Sequence, residues 1–346
     1  MDCPEGASLS CSLPTLVAHA DWSTSNNKRW VACAMMGSEG RYKASSPEFV
    51  GEADSFLLRL REKAGLGGTI LAGFDFPIGI PLHYAGLCGV EYFLEWLLQL
   101  GEGEWVDFYK VAEIKHQISF HRPFYPQRTG SARQSHLLQA LYASSMDQLR
   151  RKCELPHAGR RAASPLFWTL GGQQVGKAAL SGWREVIVPA ITSLESLLVS
   201  VKAGVVVWPF SGVLEDLLQP GNIILDETYP AEFYAHLGVS FNVPGSGAGG
   251  THVRKGKRSQ SSRTANFETL SAWANLAGVI LEPGLEETMR NGFGNASWGE
   301  DAFDAVIGLF GMLNVVLGLR PAGSPLDEQV RAVEGWIFGQ LESRGF

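Results

Sequence analysis

The segment TILAGFDFP, residues 69–77, is a continuous apolar run that ends in an acid and is closed by a proline. A short apolar run of this length, preceded by glycines, is typical of a β-strand that is buried on both faces. Aspartate is depleted within strands, so Asp75 indicates the point where such a strand ends. The segment therefore predicts an α/β fold with a carboxylate at the C-terminal end of a central strand.

The N-terminal part of the chain repeats this pattern. An apolar strand is predicted over Leu16–Asp21, and Trp30–Met36 is predicted to be its hairpin partner because turn-forming residues separate the two. If the strands that end at Asp21 and Asp75 are neighbours, their carboxylates come within reach of one cation, whereas two unpaired buried carboxylates would be costly. A turn or a strand cap is the alternative explanation for each acid on its own.

Hydrophobic periodicity predicts the remaining elements. A helix is predicted over Glu48–Lys63, and residues 81–202 are predicted to form a large, mainly helical insertion. Further predicted elements, in chain order, are a strand near Arg41–Ala44, insertion helices near Glu91–Leu100, Arg133–Lys152 and Ala178–Val201, strands at Gly204–Trp208 and Ile223–Asp226, and helices at Asn266–Ala277 and Glu300–Leu317. This order predicts one α/β domain over residues 1–346, with a mixed central sheet flanked by helices.

The last of these helices carries a second group of acids. It is apolar around nearly its whole circumference and is expected to be buried, yet its first turn contains Glu300, Asp301 and Asp304. An acid in a first turn interacts favourably with the helix dipole by about 0.3–1 kcal/mol, which explains one of these residues but not all of them. Asp301 and Asp304 are spaced to lie on one helix face, so their oxygens can point at the same ion.

Glu227 follows the predicted strand Ile223–Asp226 and is predicted to assist the aspartates, with a solvated strand end as the alternative. The predicted metal ligands are Asp21, Asp75, Asp301 and Asp304. Oxygen ligands without a set of Cys and His residues favour Mg²⁺ or Mn²⁺ over zinc. Such ions can activate a water molecule and stabilise the leaving oxygen of a phosphodiester. These residues therefore predict metal-dependent phosphodiester hydrolysis.

The distribution of charge bears on the substrate. The net charge is −6, but the acid-free segment Phe233–Phe267 contains a cluster of basic residues. Lys257, Arg258 and Arg263 of this cluster, together with Lys177, are the predicted contacts to the phosphates of a nucleic acid or nucleotide substrate. A flexible, solvated loop explains the same cluster equally well.

Several short motifs occur in order along the chain: the strand that ends in Asp21, GFDFPIG at 73–79, ETYP at 227–230, KRS at 257–259, DAFDA at 301–305 and EGWI at 334–337. With these motifs, the chain resembles, over most of its length, the family known as domain of unknown function 429, whose members are predicted ribonuclease H-like nucleases. The resemblance implies a ribonuclease H-like fold in which Asp21 and Asp75 are the first two acids of the site. Asp301 and Asp304 would complete that site.

Two other functions remain open. A non-catalytic module that binds nucleic acid or a partner would keep the same fold, with its acids serving as caps and as hydrogen-bond acceptors in the core. A phosphotransferase acting on a small molecule is the third hypothesis. It is based on the broader ribonuclease H-like architecture, which ATP-using actin-like enzymes share, and on a loop that could bind a phosphate. This loop, GGQQVGKA at 171–178, matches a P-loop up to its last position, where Ala178 replaces the Ser or Thr that would bind Mg²⁺.

Cysteine usage and hydropathy predict the compartment. The five cysteines are odd in number and widely spaced without a CxxC pair, which favours a reducing compartment over a disulfide framework or a zinc site. No secretory signal is recognised at the N-terminus, and the apolar stretch Ala305–Leu319 is shorter than the roughly 20 residues that span a bilayer. A cytoplasmic protein without a membrane partner is expected, and its oligomeric state is left open.

Overall fold

A mixed sheet of eight strands lies at the centre of the computed structural model, which describes residues 13–157, 160–170, 175–194, 204–243, 253–254 and 256–342. The strands of this sheet are β1 (Leu16–Asp21), β2 (Trp30–Met36), β3 (Tyr42–Ala44), β4 (Glu48–Phe49), β5 (Ile70–Phe74), β6 (Val205–Val207), β7 (Ile223–Glu227) and β10 (Ile280–Leu281). A separate two-stranded sheet contains β8 (Asn242–Val243) and β9 (Val253–Arg254). The predicted mixed central sheet is confirmed.

The strand β1 lies in the middle of this sheet. The strand order is β10-β3-β2-β1-β5-β7-β6, and β4 pairs with β2. β2 is antiparallel to both β1 and β3, whereas β1, β5, β7 and β6 are parallel to their neighbours in that order. Ala20 of β1 is aligned with Phe74 of β5, so Asp21 and Asp75, the residues that follow them, lie at the same end of the sheet.

Helices flank the sheet. The α-helices of the described residues are α1 (Phe56–Ala64), α2 (Leu82–Cys88), α3 (Phe93–Leu97), α4 (Gln134–Ala140), α5 (Val175–Gly182), α6 (Leu214–Leu217), α7 (Pro230–His236), α8 (Gln260–Thr264), α9 (Phe267–Ala277), α10 (Pro283–Arg290) and α11 (Gly299–Val316). The π-helical turns are Trp183–Ile187, Ala190–Leu194 and Val330–Glu334, and the 3₁₀ turns are Asn26–Lys28, Gly103–Trp105, Lys115–Gln117, Met146–Leu149 and Lys152–Glu154. Within the described residues, none of these helices has both the length and the apolar character to cross a membrane.

Two predicted helices have different bounds in the structure. Over Glu48–Lys63 the chain first forms β4, and the helix begins only at Phe56. Pairing of β4 with β2 gives these backbone groups hydrogen bonds that helical periodicity does not reveal. Over Arg133–Lys152, α4 ends at Ala140, and Tyr142 then has a φ of 49°, which lies outside the α-helical region.

The residues between β5 and β6 include the predicted insertion at 81–202. Among those that the structure describes, none adds a strand to the sheet. Short helices, 3₁₀ turns and loops replace the predicted helices at Glu91–Leu100 and Arg133–Lys152. Over the predicted helix Ala178–Val201 the chain is helical, with π-helical turns, as far as Leu194, and residues 195–201 lie outside the described residues. Phe93, Phe108 and Trp183 of this segment are buried in one core with Phe74 of β5. This core holds the segment against one face of the sheet.

The other face of the sheet packs against α11. Ala20 of β1 points to the core of the insertion, whereas Val17 points to the core that contains α11. The backbone of α11 lies directly against β1, because a methyl group at Gly308 would overlap the imidazole ring of His19. His19 Nδ1 lies 3.1 Å from the carbonyl oxygen of Ala305. These contacts place the N-terminal part of α11 at the C-terminal end of β1.

Candidate metal centre

A cavity of about 610 Å³ lies where the C-terminal ends of β1 and β5 meet the N-terminus of α11. Its charged and tyrosine lining residues are Asp21, Asp75, Glu300, Asp301, Asp304, Lys28, Lys177, Lys257, Tyr229 and Tyr234. All four predicted metal ligands therefore line one cavity, although they come from three separate parts of the sequence. We call this the carboxylate cavity.

Strand alternation explains why Asp21 and Asp75 face the same way. Successive side chains of a strand point to opposite faces, so Asp21 shares the face of His19, which contacts α11. Asp75 follows β5 at the same level, and a hydrogen bond with the carboxyl group of Asp21 is among the causes that lower its pKa against the larger effect of burial. Two carboxyl groups can form such a bond only when one of them carries a proton. The backbone N–H of Trp22 donates a further hydrogen bond to Asp75 Oδ1 at 2.6 Å.

Asp304 is held by two side chains from other elements. The hydroxyl of Tyr234, on α7, donates to Asp304 Oδ1 at 2.7 Å. The ammonium group of Lys257 forms an ion pair with Asp304 and lies 3.2 Å from Glu300 Oε1. The side chain of Asp304 is 6% exposed, so this ion pair is shielded from water on the side of the carboxylate. Lys257 therefore supplies positive charge to the carboxylate cavity in this structure.

The electrostatics of the cavity are dominated by burial and by repulsion among the acids. Burial, followed by the charges of Asp75, Asp304 and Asp301, raises the pKa of Asp21 well above its usual value. Burial also raises the pKa of Asp75 to about 7. The pKa of Asp301 rises to about 6 through burial and the neighbouring Glu300. The cluster thus holds more negative charge than Lys257 compensates.

The chemistry of the donors fits a hard divalent cation. Carboxylate oxygens are the ligands that Mg²⁺ and Mn²⁺ prefer, and a cation among them would remove the repulsion that raises the pKa values of Asp21 and Asp75. Among the residues that the structure describes, no three His, Cys, Asp or Glu side chains are already arranged as a metal site. In this structure the carboxylates line one cavity and carry excess negative charge, but they are not arranged as the complete coordination shell of one ion.

The structure does not bring Glu227 to the aspartates. In the strand register Glu227 is level with Phe74, one residue before Asp75, and alternation directs its side chain to the opposite face of the sheet. There Arg151 donates to both carboxylate oxygens of Glu227 at 2.6 Å, and the backbone N–H of Ile78 donates at 2.7 Å. The expectation that Glu227 assists the metal site is corrected: it is one half of a buried ion pair.

The four predicted phosphate contacts have different surroundings. Arg263 is buried and donates to the carbonyl oxygens of Gly292, Lys257 and Gly294 at 2.9, 2.6 and 2.7 Å. Because its guanidinium group donates to backbone carbonyl oxygens, Arg263 positions the backbone of Lys257 and does not contact a phosphate. Lys177 lines the carboxylate cavity. Arg258 is exposed, with its Nε 3.6 Å from Glu300.

Sequence patterns missed several residues of this cavity. Tyr229 and Tyr234 line it because α7 begins directly after β7, and Pro230 at the first position of α7 is a recognisable start signal. Lys28 lines it from a 3₁₀ turn that no periodicity reveals. Residues 171–174 of the P-loop-like segment lie outside the described residues, whereas Lys177 and Ala178 from its end line the cavity.

No protein-family model, no curated protein and no solved structure matches this chain. The resemblance to a family therefore rests on the sequence motifs. The chemical nature of the carboxylate cavity is the remaining basis for a function.

Proposed function

We propose that this protein is a ribonuclease H-like nuclease that hydrolyses phosphodiester bonds with Mg²⁺ or Mn²⁺. The observation that carries the proposal is the convergence of Asp21, Asp75, Asp301 and Asp304 in one cavity. Asp304 is buried and the other three are partly buried, and such a set of carboxylates with too little compensating charge favours a cation. Lys28 and Lys177 on the wall of the same cavity favour an anionic substrate.

The sheet supports the ribonuclease H-like part of the proposal. Three antiparallel strands come first in the chain, and the first of them lies in the centre beside parallel strands that come later, giving the order β3-β2-β1-β5-β7. This is the arrangement of strands in a ribonuclease H-like sheet. Asp21 is the last residue of β1, Asp75 follows the adjacent strand β5, and Asp301 and Asp304 lie near the N-terminus of α11.

Each residue of the site has a defined part in this proposal. Asp21, Asp75, Asp301 and Asp304 would hold the metal, which when bound supplies activation of a water molecule and stabilisation of the leaving oxygen. Tyr234 and Lys257 fix the orientation of Asp304 through their contacts with its carboxylate. Lys28 and Lys177 offset the negative charge of a phosphodiester that enters the cavity.

Binding of Mn²⁺ tests the proposal directly. Saturating Mn²⁺, at about 100 times its Kd, is expected to stabilise the native protein by about 2.7 kcal/mol, because the metal binds only the folded state. The double variant Asp21→Asn/Asp75→Asn should show no such shift in thermal melting and no Mn²⁺-dependent cleavage of labelled DNA or RNA.

The control for this experiment is Asp54→Asn/Asp216→Asn, which removes the same charge from exposed positions and should behave like the unaltered protein. A folded Asp21→Asn/Asp75→Asn variant that still cleaves as fast as the unaltered protein would contradict the proposal. Binding of nucleic acid that survives chelation, without cleavage under any metal, would favour the non-catalytic module.

The variant Lys257→Met is expected to bind Mn²⁺ about tenfold more tightly in the absence of substrate. A unit charge at 4 Å is worth about 4 kcal/mol at an effective dielectric of 20, and rearrangement and screening reduce this effect. Calorimetric titration of Mn²⁺ measures the change. Arg258→Met is the matched control, because the Arg258 side chain is 84% exposed and its loss should alter the Kd by less than about twofold. Equal Kd values for Lys257→Met and the unaltered protein would show that the lysine does not compete with the metal.

A further inference from the structure

A second cavity, of about 600 Å³, lies in the segment between β5 and β6 and has a basic lining. The basic or titratable side chains that line it are Lys115, His116, Arg128, Arg133 and His136, and Glu113 is the acid among its lining residues. The hydroxyl of Tyr125 lies 3.0 Å from His136 Nδ1, which fixes the imidazole in the wall. We call this the basic cavity.

Three cations of the basic cavity form no ion pair with the acids that the structure describes, although Glu113 also lines the cavity. Lys115, Arg128 and Arg133 are exposed, and none of them forms an ion pair with any residue that the structure describes. In contrast, Lys110 just before this region pairs with Asp107 at 2.6 Å. The reason lies in the sequence, because the segment 114–146 contains no Asp or Glu. The basic cavity therefore presents unpaired positive charge on a chain whose net charge is −6.

The basic cavity is joined to the carboxylate cavity through one contact. Lys177, which lines the carboxylate cavity, donates from Nζ to the carbonyl oxygen of Gln127 at 3.2 Å. The next residue, Arg128, lines the basic cavity. This contact places the backbone of Gln127, the neighbour of Arg128 in the chain, against a residue that lines the carboxylate cavity.

A polymeric substrate needs cations beyond the carboxylate cavity. Of the basic residues beside the aspartates, Lys257 is paired with Asp304 and Arg263 donates to backbone oxygens, which leaves Lys28 and Lys177 of the cavity wall for the phosphate of the cleaved bond itself. Phosphates on either side of a cleaved bond would therefore find few free partners there. The unpaired cations of the basic cavity are placed to receive them, since phosphate contacts position a nucleic acid without reading its sequence.

We propose that the basic cavity binds the flanking phosphates of a nucleic-acid strand whose cleaved bond lies in the carboxylate cavity. This inference rests on the proposed nuclease function and names its substrate as a polymer rather than a free nucleotide. Lys115, Arg128 and Arg133 are the phosphate contacts. Because these contacts involve the backbone, single-stranded DNA and RNA of the same sequence should both depend on them.

The triple variant Lys115→Ala/Arg128→Ala/Arg133→Ala tests this inference through binding in EDTA, where no cleavage occurs. Fluorescence anisotropy with a labelled single-stranded oligonucleotide should show binding by the unaltered protein and affinity weaker by about ten- to hundredfold for the variant at low salt. The slope of log Kd against log salt should fall by about two, because each lost phosphate contact on a single strand contributes about 0.7. Lys43→Ala/Arg184→Ala/Arg290→Ala removes equal charge from other exposed positions and should bind normally.

Mn²⁺-dependent thermal stabilisation separates this inference from the proposed function. The triple variant should keep that stabilisation, since the carboxylate cavity is unchanged. Equal oligonucleotide affinity and salt slope for the triple variant and the unaltered protein would overturn the inference while leaving the nuclease proposal standing. Absence of oligonucleotide binding by the unaltered protein in EDTA, or equal competition by inorganic polyphosphate and by unlabelled oligonucleotide, would also overturn it.

Discussion

In metal-free buffer at pH 8, the variant Asp75→Asn is expected to be more stable than the unaltered protein by about 1–4 kcal/mol. Burial raises the pKa of Asp75 to about 7, and a tenfold change in an equilibrium constant corresponds to about 1.4 kcal/mol. An asparagine at this position keeps an oxygen to accept the N–H of Trp22, which donates to Asp75 at 2.6 Å in the structure. Its amide N–H₂ can donate to an oxygen of the Asp21 carboxyl group, and at pH 8 it replaces a carboxylate that is ionised, because the pKa of Asp75 is about 7. The substitution therefore removes one negative charge without removing either hydrogen bond.

The dependence on pH follows from the raised pKa. The folded pKa of Asp75 is about 7, raised first by burial, and Asp304, Asp21 and Lys257 are the charged groups that face it. A carboxyl group with a higher pKa in the folded state contributes its full stability below the unfolded pKa, near 4, and loses it as pH rises through the folded pKa. The advantage of Asp75→Asn should accordingly be absent at pH 4 and develop between pH 4 and about pH 8.

Urea unfolding in EDTA across this pH range measures the effect, and the same series with Mn²⁺ should reverse the order of stability. The reversal is expected because the unaltered protein gains stability from the metal and the variant gains little. Asp216→Asn, at an exposed position, provides the control and should follow the unaltered protein at every pH. A lower stability of Asp75→Asn in EDTA at pH 8 would show that the carboxylates do not repel one another.

The positions of the four aspartates could be predicted from the sequence because each lies where a strong local pattern ends. Asp21 and Asp75 close apolar strands, Asp301 lies in the first turn of an apolar helix, and Asp304 lies one turn further along it. Strands of this kind are central, and the C-terminal ends of neighbouring parallel strands meet at one side of a sheet. The convergence of Asp21 and Asp75 needed only the assumption that the two strands are adjacent, whereas that of Asp301 and Asp304 also depends on the packing of α11 against β1.

The error at Glu227 has a physical cause in the register. Both Asp226 and Glu227 end β7, and the side chains of successive residues point to opposite faces. Which of these two side chains points toward α11 depends on the pairing of Glu227 with Phe74. A single sequence does not reveal that pairing. Arg151, the partner of Glu227, lies far away in the chain, so its ion pair could not be foreseen either.

The contacts of Lys257 illustrate a second limit. The sequence identified a basic cluster but could not distinguish a residue that meets a substrate from one that neutralises the protein's own acids. Lys257 pairs with Asp304 and Glu300, and Arg263 holds the backbone of Lys257. Such pairings depend on where a loop crosses a helix terminus, which hydrophobic periodicity does not determine.

The ion pair of Arg151 has the largest expected effect on stability. Both oxygens of Glu227 and one oxygen of Glu154 accept from its guanidinium group, and the side chain of Arg151 is 0% exposed. Arg151→Met should therefore lower the free energy of unfolding by about 3–5 kcal/mol, because it leaves buried carboxylates without a compensating charge. Urea unfolding measures this loss. Arg290→Met, which breaks the exposed pair with Glu286, should cost less than about 1 kcal/mol.

The double variant Arg151→Met/Glu227→Met decides whether this pair is structural or catalytic. Removing both charged partners should recover part of the lost stability, since two apolar side chains of similar volume can replace a buried ion pair. If Glu227 has no part in metal binding, the double variant must retain both the Mn²⁺-dependent stabilisation and the Mn²⁺-dependent cleavage of the unaltered protein. A folded double variant that no longer responds to Mn²⁺ would indicate that Glu227 takes part in metal binding. That result would conflict with the position of Glu227 on the opposite face of the sheet from Asp75.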